Sequence, residues 1–344
     1  MESRRGFASD NNSGIHPRIL ESIKKVNTGH RIAYGDDPVT ASAIDKFKLH
    51  FGDDIDVYFV FTGTGANVLG LQAVTESFHS IICSDVSHLN VDECGAPENF
   101  SGCKLETIPT SDGKISPEDI APFLHVFGNE HHSQPKVVSI TQSTELGTVY
   151  SLTEIKDIAG ITHENEMLLH MDGARIANAA VSLGLNFKEF TKDAGVDILS
   201  FGGTKNGMMI GEAVVFFNKN HSRNFKFIRK QGMQLGSKMR YISAQFEEFL
   251  SDDLWQKNAL QANEMAKLLA RELEKIPECR ITQKVEANAV FVNIPRKYVD
   301  KILKEYFFYV WDENGPVVRL MTSFDTREED IENLIRTIID SIKS

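Results

Sequence analysis

Three features in the middle of the sequence combine residue types that do chemistry: a carboxylate, a lysine and a pair of glycines at a turn. Asp172 ends the apolar run "MLLHMD", and Arg175 follows three residues later. Lys205 lies in "FGGTKNG", framed by Gly202, Gly203 and Gly207. Gly63, Thr64 and Gly65 stand between an apolar run and a helix-like one in "FVFTGTGANVLG". Each has an ordinary use, as a helix cap, a solvated loop residue and a tight turn. The glycine turn is not a G-x-G-x-x-G fingerprint. Together they mean more. A helix N-terminus with no crowding Cβ atoms suits a phosphate. A lysine removed from water loses its proton and forms a Schiff base with an aldehyde. A carboxylate keeps a pyridine nitrogen protonated. These are the groups that pyridoxal 5'-phosphate requires of a protein. Arg175 is then close enough to meet the ring hydroxyl or a substrate carboxylate.

Such residues need strands to deliver them. "DVYFVF", "SIICSD", "PKVVSITQ", "MLLHMD", "VDILSFGG" and "EAVVFFN" are short apolar β runs, with helical periods such as "SLTEIKDIAGITHENE" and "RIANAAVSLGL" between them. That alternation predicts a mostly parallel, doubly wound α/β sheet with helices on both faces. In such sheets ligands bind beyond the carboxyl ends of the strands, where the polar residues above fall. After about Lys219 the pattern changes. "RNFKFIRKQGMQLGSKMRYISAQFEEFL" and "WQKNALQANEMAKLLARELEKI" read as long helices, and the tail alternates three β runs with a closing amphipathic helix. The expected organisation is an N-terminal segment, 1–30, packing with the small domain; a large cofactor-binding α/β domain, 31–250; and a small C-terminal α+β domain, 251–344.

The 344 residues exceed one compact core. A net charge of −11 argues against nucleic acid or an anionic membrane as the main partner. No apolar run is long enough for a transmembrane helix, and the N-terminus has no apolar stretch after its arginines. Cys83, Cys94, Cys103 and Cys279 show no C-x-x-C spacing, so reduced thiols, no metal site and a cytoplasmic location are expected.

At this point the chain resembles, over nearly its whole length, the L-threonine aldolase/β-eliminating lyase family of fold-type I (aspartate aminotransferase-like) pyridoxal phosphate enzymes. "ASDNNSG" is similar to the family's N-terminal Ser-Asp segment and makes Ser9 a substrate contact. "YGDDP" is an entry motif, and "TGTGAN" matches the phosphate loop. "SDVSHLNVDECGAPE" matches the segment whose histidine, His88, stacks on the cofactor ring, with Glu93 in the same motif. "HMDGAR" supplies Asp172 and Arg175; "GGTKNG" supplies Thr204 and Lys205. "RKQGMQLGSKMR" is similar to a basic helix, so that Lys230 and Arg240 reach a neighbouring subunit's cofactor phosphate. "VVRLMTSF" supplies Arg319 for the substrate carboxylate. Where many members read Thr-His-Asn-Gly this chain has "STELG", which puts Glu145 in the place of a histidine. The pair His131 and His132 reads as a solvated loop.

The resemblance implies a pyridoxal-phosphate-dependent carbon–carbon lyase, cleaving a β-hydroxy-α-amino acid (threonine, allo-threonine or an aryl-serine) to glycine and an aldehyde. It also implies a homodimer or homotetramer with shared sites. A β-eliminating lyase is the enzymatic alternative. A non-catalytic phosphate- or nucleotide-binding domain explains "TGTGAN" but not Lys205 together with Asp172.

Overall fold

The large sheet is built from β1 (Asp56–Val60), β2 (His79–Ser84), β3 (Lys104–Ile108), β4 (Gln134–Thr141), β5 (Leu168–Gly173), β6 (Ile198–Gly202) and β7 (Glu212–Phe216). The structure, a computed structural model, describes residues 4–312 and 315–343. The strands run in the order β1-β7-β6-β5-β4-β2-β3. β2 pairs in parallel with β3 and β4, β4 with β5, and β5 with β6, while β7 runs antiparallel to β1 and β6. β6 and β7 are buried at every position, as strands covered by helices on both faces must be. The exception to the apolar rule is β3, an edge strand with mostly exposed or half-buried side chains, and so without an apolar run to betray it.

The small sheet is antiparallel, in the order β10-β11-β9-β8, from β8 (Arg280–Ile281), β9 (Ala289–Asn293), β10 (Tyr309–Asp312) and β11 (Val317–Met321). Alternation divides its faces. Val290, Val292, Val318 and Leu320 join the small-domain core with the helices Leu254–Leu273 and Glu328–Lys343. Phe291, Trp311 and Met321 instead pack with Leu146 and Val86 of the large domain.

Two expectations need correction. "RNFKFIRKQGMQLGSKMRYISAQFEEFL" is not one long helix but two, Phe225–Gln231 and Arg240–Phe249. A Cβ at Gly232 would lie 2.6 Å from Leu69, one at Gly236 would lie 2.5 Å from Phe61, and Met233 takes a φ of 62°. The chain leaves the helix so that its backbone can lie against the helix Gly63–Gln72. Residues 1–30 also divide. Phe7 is buried in the small-domain core, and its carbonyl accepts from Met321 N. The helix Pro17–Val26 instead packs on Arg240–Phe249, because its buried Ile19 belongs to the large core. The helix Leu254–Leu273 serves both bodies: Leu254, Trp255 and Ala259 lie in the large core, and Met265, Leu269 and Leu273 in the small one.

Candidate active site

A cavity of about 400 Å3 opens at the carboxyl ends of the parallel strands, lined by Thr62, Gly63 and Thr64, by His88, Asp172 and Ser200, and by Thr204, Lys205 and Glu212. Gly63 and Gly65 are not a loop before the helix but its first turn, in the helix Gly63–Gln72, and Thr62 Oγ1 caps it by accepting from Gly65 N at 3.0 Å. The first amides of a ten-residue helix therefore face the cavity, and a Cβ at Gly63 would meet nothing within 4 Å. At Gly65 it would meet the Gln234 side chain, which in turn accepts from Phe61 N at 2.9 Å.

Asp172 lies near the end of β5. Its Oδ1 accepts from Ala174 N at 2.9 Å and its Oδ2 from Asn67 Nδ2 at 2.8 Å. The same Asn67 nitrogen donates to Glu93 Oε1 at 2.9 Å, which pairs at 2.9 Å with His88 Nδ1. His88, Glu93, Asn67 and Asp172 thus form one chain of polar contacts. The bond to Glu93 raises the His88 pKa above its ordinary value, with the charge of Asp172 adding to it. Two residues earlier, on the same face of the strand, His170 bridges Ser139 of β4 (2.8 Å) and Ser200 of β6 (3.1 Å). Burial pulls its pKa down to about 4, so the bridge is neutral.

Lys205 follows β6 in a tight turn. A Cβ at Gly202 would sit 2.5 Å from Ala174 O, so the strand end closes directly on the backbone that follows Asp172. Glu212 accepts from Gly203 N at 2.8 Å, and Gly211 N donates to Thr204 Oγ1 at 3.1 Å. Among the described residues nothing hydrogen-bonds the Lys205 amine. Burial lowers its pKa, and the charge of Arg175 lowers it further. Both conditions favour a nucleophilic amine.

The two arginines differ. Arg175 Nε and Nη2 hold the Asp10 carboxylate at 2.7 and 2.9 Å. Burial works to raise the Asp10 pKa, but the charge and hydrogen bonds of Arg175 outweigh it, and the net shift is downward. Among the described residues Arg319 has no such partner. Its guanidinium carbon lies 5.1 Å from the Trp311 ring and 5.5 Å from that of Tyr309, and its Nε is buried without a hydrogen bond. Glu145, in the place expected of a histidine, points its Oε1 at His88 N (2.8 Å) and Thr141 Oγ1 (2.9 Å). Burial, then the charge of Asp172, pushes its pKa up to about 7.

Other expected residues lie elsewhere. Ser9 Oγ accepts from Asn11 N, and Asn11, not Ser9, lines the cavity. Lys230 is exposed, with its amine 5.2 Å from the Tyr34 ring, and Arg240 Nη2 donates to Tyr241 Oη at 3.2 Å. Neither lines the cavity within one chain. His131 and His132 are exposed. Sequence reading passed over Asp10, Asn67 and Glu212. Two of these carried a signal, a lone amide in the apolar helix "GTGANVLG" and an acid opening the buried strand "EAVVF".

The donor set fits pyridoxal phosphate: a helix N-terminus with glycines on either side of Thr64, a carboxylate delivered by a central strand, and a half-buried lysine amine that no described residue hydrogen-bonds. The comparisons agree. The β-eliminating lyase family model matches residues 6–296. Low specificity L-threonine aldolases of Pseudomonas sp. (strain NCIMB 10558) and Pseudomonas aeruginosa are each 43% identical over 334 residues, 96% of either chain. The solved structure of Leishmania major threonine aldolase superposes with a TM-score of 0.91 at 29% identity, covering 97% of this chain and 98% of that one. A chain matched along this length, with this cavity, belongs to the β-eliminating lyase family of pyridoxal-phosphate enzymes.

Proposed function

We propose that this protein cleaves the Cα–Cβ bond of a β-hydroxy-α-amino acid of the threonine type, giving glycine and an aldehyde. The observation that carries the reading is the presence together of a half-buried Lys205 amine and of Arg319, whose Nε is buried, neither of them hydrogen-bonded by a described residue. The aldolase activity named for the Pseudomonas relatives supports it. In this assignment the Gly63–Gly65 turn with Thr64 and Thr204 holds the phosphate, Asp172 the ring nitrogen, His88 one ring face and Lys205 the aldehyde. Pyridoxal phosphate, when bound, supplies the sink for the electron pair left at Cα.

The protein's share is orientation and charge. Arg319 takes the substrate carboxylate, since a planar fork binds both oxygens. Fixing the carboxylate and the amine fixes which bond at Cα is broken. His88 Nδ1 is committed to Glu93, which leaves Nε2 to exchange a proton at the cavity. Arg175, held by Asp10, keeps Nη1 for the ring hydroxyl or the substrate.

Incubation with L-threonine and with a phenylserine, with glycine and aldehyde measured together, tests the reading. The family's description favours β-elimination as the second reading. Pyruvate and ammonia, without glycine, would establish it instead. We also place the working enzyme in the cytoplasm as a homodimer or homotetramer, with Lys230 and Arg240 serving a neighbour's phosphate site, and with Ser9 and Glu93 acting on the substrate side only through Asn11 and His88. Inactive Lys205→Ala and Arg240→Ala subunits would then regain activity on mixing; no recovery from subunits shown to exchange would refute sharing.

A further inference from the structure

We propose that Asp10 is a positioning residue that fixes Arg175 and Arg319 relative to each other, so that one buried carboxylate sets the geometry of the substrate-carboxylate site. Its side chain is wholly buried, in the short turn Asp10–Asn12 of the N-terminal segment. Two distant parts of the chain meet on it. Oδ1 takes Arg175 Nη2 at 2.9 Å, and Oδ2 takes Arg175 Nε at 2.7 Å and Asn288 Nδ2 at 3.0 Å. Asn288 Nδ2 also donates to Thr322 O at 2.7 Å, and Thr322 N returns a bond to Asn288 O at 3.0 Å. Thr322 is the residue after β11, the strand that carries Arg319, and its hydroxyl is tied to Ala262 O at 2.7 Å. The path from one guanidinium to the strand of the other is therefore continuous: Arg175, Asp10, Asn288, Thr322.

The chemistry of the fork explains why a carboxylate is used. Binding the Nε–Nη2 edge leaves one conformation for a side chain rich in rotamers, and it directs Nη1 away from Asp10. The charge matters too. The charge of Arg175 weakens the hold of both Lys205 and Arg319 on a proton, and Asp10 opposes it at each while strengthening the hold of Arg175 itself. An amide at position 10 would accept through one oxygen, turn its own N–H groups toward the guanidinium, and leave three crowded cations.

The inference rests on the amino-acid reading of the site, and its test separates the two. In the holoenzymes of native protein, Asp10→Asn and Asn288→Ala, the change in cofactor absorbance would report binding of glycine and of glycinamide, which lacks the carboxylate. Asp10→Asn is expected to weaken glycine roughly tenfold to a hundredfold and to raise the KM for threonine more than it lowers kcat. Glycinamide binding should change by less than about threefold. Asn288→Ala keeps the Asp10–Arg175 pair and cuts only the link to β11, so it should show the same selectivity at roughly threefold to tenfold. It carries the test alone if Asp10→Asn does not fold. Glycine affinity within twofold of native in a folded variant, or equal weakening of both ligands, overturns the proposal. Native enzyme that binds neither ligand overturns the amino-acid reading, and this proposal with it.

Discussion

Removing Arg319 should damage substrate binding while sparing the fold, and the reason lies in its lack of a partner. An arginine fork on a carboxylate makes two charge-assisted hydrogen bonds worth about 1.5–3 kcal/mol each. Arg319→Lys keeps the charge and loses the second prong, so kcat/KM should fall by about 1–3 kcal/mol, roughly fivefold to 150-fold. Arg319→Ala loses both prongs and the charge, about 3–5 kcal/mol, or roughly 150-fold to 5,000-fold. Neither change leaves a carboxylate stranded, because the Arg319 guanidinium lies against the rings of Tyr309 and Trp311 and, among the described residues, pairs with no carboxylate. The melting temperature should therefore move by no more than about 2–3 °C. Arg175→Ala is the contrast. It abandons Asp10 inside the protein, an error worth about 3–5 kcal/mol of stability. Steady-state kinetics, thermal melting and cofactor content on the three variants decide the matter. If Arg319→Ala melts far below native protein, or sheds cofactor while the remaining holoenzyme keeps its kcat/KM, Arg319 serves the fold or the cofactor and the argument fails.

Lys205→Ala should abolish turnover and eliminate the visible band of a lysine-bound aldehyde; a variant that keeps both would remove Lys205 from its assigned role. Gly202→Ala should lose cofactor and melt lower, because its Cβ would strike Ala174 backbone atoms at 2.5–2.7 Å, while Gly63→Ala, with open space at the Cβ, should fold normally; equal melting of the two would contradict this. Glu145 and Glu212 are each raised from 4.5 to about 7, chiefly by burial. Between those values the folded protein holds protons that the unfolded chain has released, so their contribution to stability falls as pH rises through that window. Urea unfolding of the apoprotein at pH 5 and pH 7.5 should show a smaller pH difference for Glu145→Gln than for native protein, and an unchanged difference would discount the buried acid.

The central strands and two of the site residues were legible because local pattern and chemistry coincide there. β5 and β6 are apolar runs that stop at Asp172 and at the glycines before Lys205, and the fold brings those ends together. Asp10 and Arg175 stand 165 positions apart, and no periodicity links "ASDNN" to "DGARI". The break after Gln231 was hidden for a related reason. Gly232 and Gly236 look like tolerable interruptions of a helix until Leu69 and Phe61 are seen against them. Glycines demanded by long-range contact and acids demanded by a distant cation leave no local signature. Lys230 and Arg240 show the converse, a motif legible in sequence whose residues lie away from the cavity of their own chain.

The field at Lys205 follows from how these distant pairs are distributed. The amine must be neutral to attack, and burial with the nearby Arg175 charge drives it that way, while Asp10, Asp172 and Glu212 oppose. Asp10 is bound to Arg175 so closely that the pair is nearly neutral from a distance, which weakens both its help and its hindrance. Glu212 is different. It lines the cavity, it is held by Gly203 N, and it exchanges its proton at about 7. Below that pH it is uncharged, and burial and Arg175 act on Lys205 with less opposition. Above it, the new negative charge raises the affinity of Lys205 for a proton just as hydroxide is removing protons elsewhere. Ionised Glu212 therefore helps to hold a proton on Lys205, against burial and Arg175. In Glu212→Gln the amine should lose its proton at lower pH, as read from the pH dependence of its acylation in the apoprotein. An identical titration in the two proteins would show that Glu212 only holds the turn.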